Sequence, residues 1–272
     1  MPVERIHNAD DERIDGYRAV RDGELLRSRG CFVAEGRTVV RRVVEDPRYR
    51  VTSLLVNDAA LRDLEPAVAA RDPEVPIFVA GGDALAAIAG FDVHRGCLAL
   101  VRRPDDTPAE ALFEKGKTLV ALDGVSNADN VGGVFRNAAA FGAGGVLLSP
   151  TCCDPLYRKA IRTSMGAALT VPFARARPED WPAMLTRVRA AGFALVALTP
   201  REPSETLAQF AAHGGLPRLT LVIGTEGAGL SADVEALADY RVRIPIDGAV
   251  DSLNLAVAAG IALHALRRDA RT

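Results

Sequence analysis

Lysine is nearly absent from this chain of 272 residues: Lys115, Lys117 and Lys159 are the only ones, and the other thirty basic residues are Arg. Aromatic residues make up 5% and cysteines number four, Cys31, Cys97, Cys152 and Cys153. No CxxC pair occurs, and no His stands at ligand spacing from a Cys, so neither a zinc site nor a disulfide framework is expected. Four reduced thiols fit a reducing compartment. No apolar run reaches the roughly 18 residues that a membrane span needs, and the charged segment Met1 to Asp15 has no apolar signal core. These absences point to a cytoplasmic protein without metal or membrane. The net charge of −2 also gives no bulk sign of a nucleic-acid partner. The distribution is more informative, because residues 13–50 hold ten Arg against six acidic residues. Arg suits phosphate through its planar fork of donors.

What is present divides at residue 104. Residues 1–103 alternate helical and extended patterns. A helix is expected over Asp11–Arg29, a strand over Cys31–Ala34, a helix over Arg37–Glu45 and a strand over Val51–Val56. A helix over Ala59–Ala70, a strand over Pro76–Ala80, a short helix capped by Asp83 and a strand over Cys97–Val101 complete a small α/β domain. Pro104 and Pro108 flank an acidic stretch, so 104–117 reads as a linker. From Thr118 to residue 272 the strands become continuously apolar, as in a parallel sheet covered on both faces. Strands are expected at Thr118–Leu122, Gly145–Ser149, Phe193–Leu198, Leu219–Ile223 and Arg241–Ile244. Helices are expected near 131–141, 155–165, 179–191, 231–238 and 253–267.

Three segments of this second domain carry chemistry. Asn130-Val-Gly132-Gly133 opens a helix that bears Arg136, with Asn130 a candidate cap and the glycines permitting close approach. Gly224-Thr-Glu226-Gly227-Ala-Gly229 ends a buried strand in a turn with one carboxylate. Ile244-Pro245-Ile246 leads through Ser252-Leu253-Asn254 into the last helix, where Ser252 and Asn254 are both capping types. The loop of three glycines is not the GxGxxG dinucleotide fingerprint, which counts against a doubly wound nucleotide-binding enzyme.

In order and spacing these segments resemble the three signature motifs of the SpoU/TrmH family of RNA 2′-O-methyltransferases. Arg162-Thr-Ser164-Met-Gly166-Ala167 is similar to a minor fourth stretch. The resemblance spans about residues 118–268. It departs at Ala128, Ile246 and Leu255-Ala256, none of which removes a reactive group. Phe32-Val-Ala-Glu35-Gly36-Arg37 and His94-Arg-Gly96 resemble the L30e-like RNA-binding domain that precedes the catalytic domain in many members, although Glu35-Gly36 alone also reads as an ordinary strand-to-helix turn.

The resemblance implies an α/β fold whose C-terminal parallel sheet carries a deep trefoil knot, beside a smaller N-terminal α/β domain. It implies S-adenosylmethionine as cofactor, held by backbone near Gly224, Ile244 and Leu253, with Thr199 lining the pocket. It implies RNA as substrate, ribosomal more than transfer RNA, and a homodimer. Arg136, Asn130, Glu226, Ser252 and Asn254 would form the catalytic set. For Arg136 two roles stay open, proton acceptor or phosphate clamp. The clamp is physically easier, because guanidinium stays protonated. The alternative is an RNA-binding protein that keeps the fold without activity. Its expected mark, loss of Arg136, Glu226 or Asn254, is missing.

Overall fold

Short apolar runs separated by amphipathic helices produce two sheets in a computed structural model, which describes residues 2–18, 22–90, 96–213, 216–248 and 250–267. The chain divides into two compact units, one of residues 1–105 with 156–166, the other of 106–155 with 167–272.

The first unit is built on strands β1 (Val3–Arg5), β2 (Cys31–Glu35), β3 (Arg50–Val56), β4 (Ile77–Val79) and β5 (Cys97–Arg102). Their order is β1-β4-β3-β5-β2. β4 pairs parallel with β1 and β3, while β5 runs antiparallel to β3 and β2. The helix Arg37–Glu45 buries Val39, Val40, Val43 and Val44, the stripe its spacing predicts. Gly36 precedes it with φ of 90°, a left-handed position that a side chain would strain. The one helix expected over Asp11–Arg29 is instead two elements, a 3₁₀ turn over Glu12–Tyr17 and an α-helix over Asp22–Arg29. Ile14 and Tyr17, both buried, stand three apart, the repeat of a 3₁₀ turn. Asp83 does not cap its helix. Gly81 holds that position, and Asp83 lies in the first turn, where its charge still favours the N-terminus. Two residues of one motif, His94 and Arg95, lie outside the described residues.

The second unit carries β6 (Thr118–Asp123), β7 (Gly145–Leu148), β8 (Phe173–Arg175), β9 (Ala194–Leu198), β10 (Glu205–Thr206), β11 (Leu219–Gly224) and β12 (Tyr240–Arg243). Every pairing is parallel, in the order β10-β12-β9-β11-β6-β7-β8. All six residues of β11 are buried, as expected of a strand covered on both faces. Sequence reading found the five inner strands to within a residue or so and missed β8 and β10, which are short edge strands with too few residues to show a pattern.

The expected linker and second domain both need revision. Ala109 and Leu112 are buried in the second unit's core beside Leu119, Leu147 and Trp181, so the latter part of 104–117 is core rather than linker. The helix expected at 155–165 forms as Arg158–Thr163 but groups with the first unit. There Arg42 Nη1 donates to Gly166 O at 2.9 Å, and Asp22 Oδ2 accepts from Arg158 N at 2.9 Å. Among the described residues no helix is long and apolar enough to cross a membrane.

Candidate active site

Four neighbouring strands, β12, β9, β11 and β6, end side by side because they are parallel and adjacent. Loops leaving the carboxyl edge of such a sheet form its natural crevice. Thr199 follows β9, Gly224 closes β11 and Ile244 follows β12, which places three expected cofactor positions on adjacent strand ends. Thr199 is buried, its N–H donates to Val242 O at 2.9 Å, and its Oγ1 accepts from Arg201 N at 3.2 Å. Ile244 and Leu253 are half-buried.

The turn after β11 explains its glycines. Thr225 and Gly229 form a bridge, with Gly229 N donating to Thr225 O at 3.0 Å. Gly227 and Gly229 have φ of 82° and 73°. A Cβ on Gly224 would overlap the carbonyl of Gly229 and the amide nitrogen of Leu230, both backbone, so no neighbouring rotamer could relieve it. The turn presents Glu226 toward the start of the helix Leu255–Leu266. Glu226 Oε1 accepts from Leu255 N at 3.4 Å and from Asn254 Nδ2 at 3.3 Å. A carboxylate at a helix N-terminus is favoured by the unpaired N–H groups there.

Asn254 is the central connection. Its Oδ1 accepts from Ala256 N at 3.0 Å and Val257 N at 3.2 Å, capping the helix. That fixes the amide's orientation, because the face turned to Glu226 must then be the donor. Nδ2 also donates to Asn130 Oδ1 at 2.9 Å. Asn130 is buried at 4% exposure and sits inside the helix Ala128–Phe141 rather than capping it. The cap is Asn127, whose Oδ1 accepts from Asp129 N at 2.8 Å and Asn130 N at 3.4 Å. With that duty taken by Asn127, the Asn130 amide is left to meet Asn254. Two contacts bring these helices close enough. A Cβ on Gly133 would stand 2.5 Å from Ala256 Cβ, and Asn137 Nδ2 donates to Ala256 O at 2.6 Å.

Asn130, Glu226 and Asn254 are thus joined across three distant segments. Arg136 lies on the same helix as Asn130, about 9 Å further along the axis at 1.5 Å per residue. It is exposed, and no hydrogen bond or ion pair joins it to any described residue. Ser252 is exposed and does not bond to the three-residue cluster. The structure adds residues that sequence reading passed over: Asn127, Asn137 and Asp123. Asn127 stands three residues before Asn130 and Asn137 directly after Arg136, and their type was the available signal. Ser164 is buried and donates from Oγ to Ile161 O at 2.9 Å, which makes it a turn former within the first unit.

Fold and cluster together define an α/β protein whose parallel sheet carries a joined amide–carboxylate cluster at its carboxyl edge, with an exposed guanidinium on the helix of Asn130 that pairs with no described residue. Residues 117–264, more than half the chain, match the SpoU rRNA Methylase family. An uncharacterized tRNA/rRNA methyltransferase of Mycobacterium bovis is 36% identical over 268 residues, 97% of this chain and 91% of the relative. An AdoMet-bound rRNA methyltransferase structure from Sinorhizobium meliloti superposes with a TM-score of 0.83 at 26% identity, covering 99% of each chain. An RNA 2′-O ribose methyltransferase structure matches with a TM-score of 0.75 at 26% identity, over 96% of this chain and 97% of the other. The chain belongs to the SpoU family of RNA methyltransferases.

Proposed function

We propose that the protein transfers a methyl group from S-adenosylmethionine to a ribose 2′-hydroxyl of RNA, with ribosomal RNA the preferred substrate class. The reading is carried by one observation: an exposed, unpaired Arg136 on the helix whose Asn130 is bonded through Asn254 to Glu226. A guanidinium with no partner among the described residues is available to an external anion, and RNA supplies one at every nucleotide.

The residues present fit the cofactor. Thr199, Gly224, Ile244 and Leu253 offer a hydroxyl, backbone and apolar surface at the strand ends, with no basic side chain among them to repel a sulfonium. When bound, the cofactor supplies an electrophilic methyl. The chain's own part is to orient the hydroxyl and stabilise the oxygen as its proton leaves. Arg136 grips the phosphate beside the target ribose and offsets the developing negative charge. Glu226 holds the ribose, and Asn254, whose amide donates to both Asn130 and Glu226, keeps that carboxylate in place. Ser252, exposed at the mouth of the last loop, contacts substrate. The first unit binds the RNA, and its presence favours a structured ribosomal target over transfer RNA. The protein acts as a homodimer.

Arg136→Ala is expected to keep its affinity for S-adenosylmethionine while losing on the order of 10²–10³ in transfer rate. Calorimetric titration and radiolabelled methyl transfer to unmodified ribosomal RNA measure the two quantities. Mapping 2′-O-methyl positions on total RNA with and without active protein tests the ribose assignment. Label on a base, or transfer by the variant at the wild-type rate, refutes it.

A further inference from the structure

Asp123 ends β6 and is buried at 8% exposure, yet none of the roles above uses it. Both of its oxygens are committed. Oδ1 accepts from Trp181 Nε1 at 2.9 Å, and Oδ2 accepts from Ser231 N at 2.8 Å. Ser231 is the residue at which the Glu226 turn ends and the helix Ala232–Leu237 begins. In the sheet, Asp123 is also the register partner of Gly224, where that turn starts. The same residue therefore meets the turn at both ends, through its backbone register at the entry and its carboxylate at the exit. Arg201 adds a tie from outside, donating from Nη2 to Ala228 O at 2.7 Å and pairing through Nη1 with Glu235 at 2.7 Å.

We propose that Asp123 is a positioning residue whose carboxylate, by fixing the Ser231 amide, sets where Glu226 stands. The Thr225–Gly229 bridge and the Arg201 tie brace the middle of the turn, whereas its exit at Ser231 is fixed by the Asp123 carboxylate. The turn contains three glycines, the residues that lose most freedom on ordering, and its tip is exposed. A buried acceptor facing two N–H groups cannot be replaced without leaving one of them unsatisfied.

That two-donor arrangement gives a test with its own internal control. In Asp123→Asn the side chain keeps its shape but has one acceptor for two N–H groups, and its NH₂ must face a donor. Trp181→Phe removes one of those donors. The double variant can therefore turn its oxygen to Ser231 and recover. Hydrogen exchange of the backbone over 224–235 reads the turn directly, and circular dichroism checks the fold. Asp123→Asn is expected to exchange faster there by about tenfold or more, Trp181→Phe to rise less because it leaves the Ser231 bond intact, and the double variant to fall back toward the Trp181→Phe level.

Methyl transfer to unmodified ribosomal RNA transcribed in vitro should follow the same order, falling in kcat more than in KM for S-adenosylmethionine. In a Glu226→Ala background, Asp123→Asn should cost little further activity, because the group it positions is gone. Wild-type exchange in Asp123→Asn, or no recovery in the double variant, overturns the proposal. Should Asp123→Asn alone fail to fold, recovery of fold and exchange protection in the double variant upholds it, and continued misfolding overturns it. The transfer arm rests on the function proposed above. Absence of wild-type transfer would sink that reading, while hydrogen exchange still decides the role of Asp123.

Discussion

Asn254 does two jobs with one amide, and the two can be separated. Its oxygen caps the last helix and its nitrogen donates to Asn130 and Glu226. Asp is as good a cap as Asn, so Asn254→Asp should preserve the helix start. It would, however, put a second carboxylate against Glu226 and leave Asn130 Oδ1 facing an acceptor. The expected result is folded protein with a Tm lowered by a few degrees and transfer reduced by on the order of 10²-fold. Ser at the same position also caps but carries no opposing charge, so Asn254→Ser should recover the Tm without recovering transfer. Thermal unfolding and labelled methyl transfer on the same preparations check this. A pair of variants equal to wild type in transfer would remove Asn254 from the catalytic set.

At the scale of elements, the last helix leaves apolar surface exposed. Val257 and Ile261, one turn apart, are 52% and 41% exposed, and Val250 precedes them at 55%. A stripe at i and i+4 on a helix whose other large apolar residues, Leu255, Leu263 and Leu266, are buried is the pattern of a partner-facing side. The proposed homodimer would cover it. Val257→Glu with Ile261→Glu is expected to shift light-scattering mass from two chains to one, while the same pair placed at Arg136 and Ala140 would not. A wild-type monomer at working concentration contradicts the dimer. The elements themselves were largely legible, since β6, β9 and β11 announce themselves as unbroken apolar runs and the valines of Arg37–Glu45 show a helical stripe. The site was legible in part. Asn130, Glu226 and Asn254 were found as motif residues, but nothing in the linear order says that one amide joins them. Asp123 stood at a strand end with no marker of its role, because a carboxylate's partners, an indole 58 residues away and a backbone N–H 108 residues away, exist only after folding. The 156–166 segment was misplaced for the same reason. Its helical pattern is local, whereas the choice of core it joins depends on Asp22, Glu35 and Arg42, more than a hundred residues earlier.

At the scale of the whole molecule, that segment means the first unit is not complete until the chain has run to residue 166. It supplies cations to the buried Glu35 and the half-buried Asp22. Arg158 Nε and Arg162 Nη1 stand 3.8 and 4.0 Å from Glu35 Oε2, whose side chain is 2% exposed. Burial raises the Asp22 carboxyl above its ordinary 3.8, and the Arg158 guanidinium and backbone N–H pull it back down. Arg158→Ala keeps the N–H but removes the guanidinium, so the Asp22 carboxyl should rise further. A carboxyl raised in the folded state binds its proton more firmly folded than unfolded. Its contribution to stability is therefore fully present below pH 3.8 and is lost as pH rises through the folded value. The loss is larger in the variant than in the wild type. Breaking a buried pair costs about 3–5 kcal/mol, but Arg158 is 31% exposed and its Glu35 contact is long, so about 1–2 kcal/mol is expected at neutral pH. Calorimetric Tm measured for wild type and Arg158→Ala at pH 7 and near pH 4 should show the gap at the higher pH and a narrowing of it at the lower. A gap independent of pH would mean that the segment holds the first unit by packing alone, without its charge.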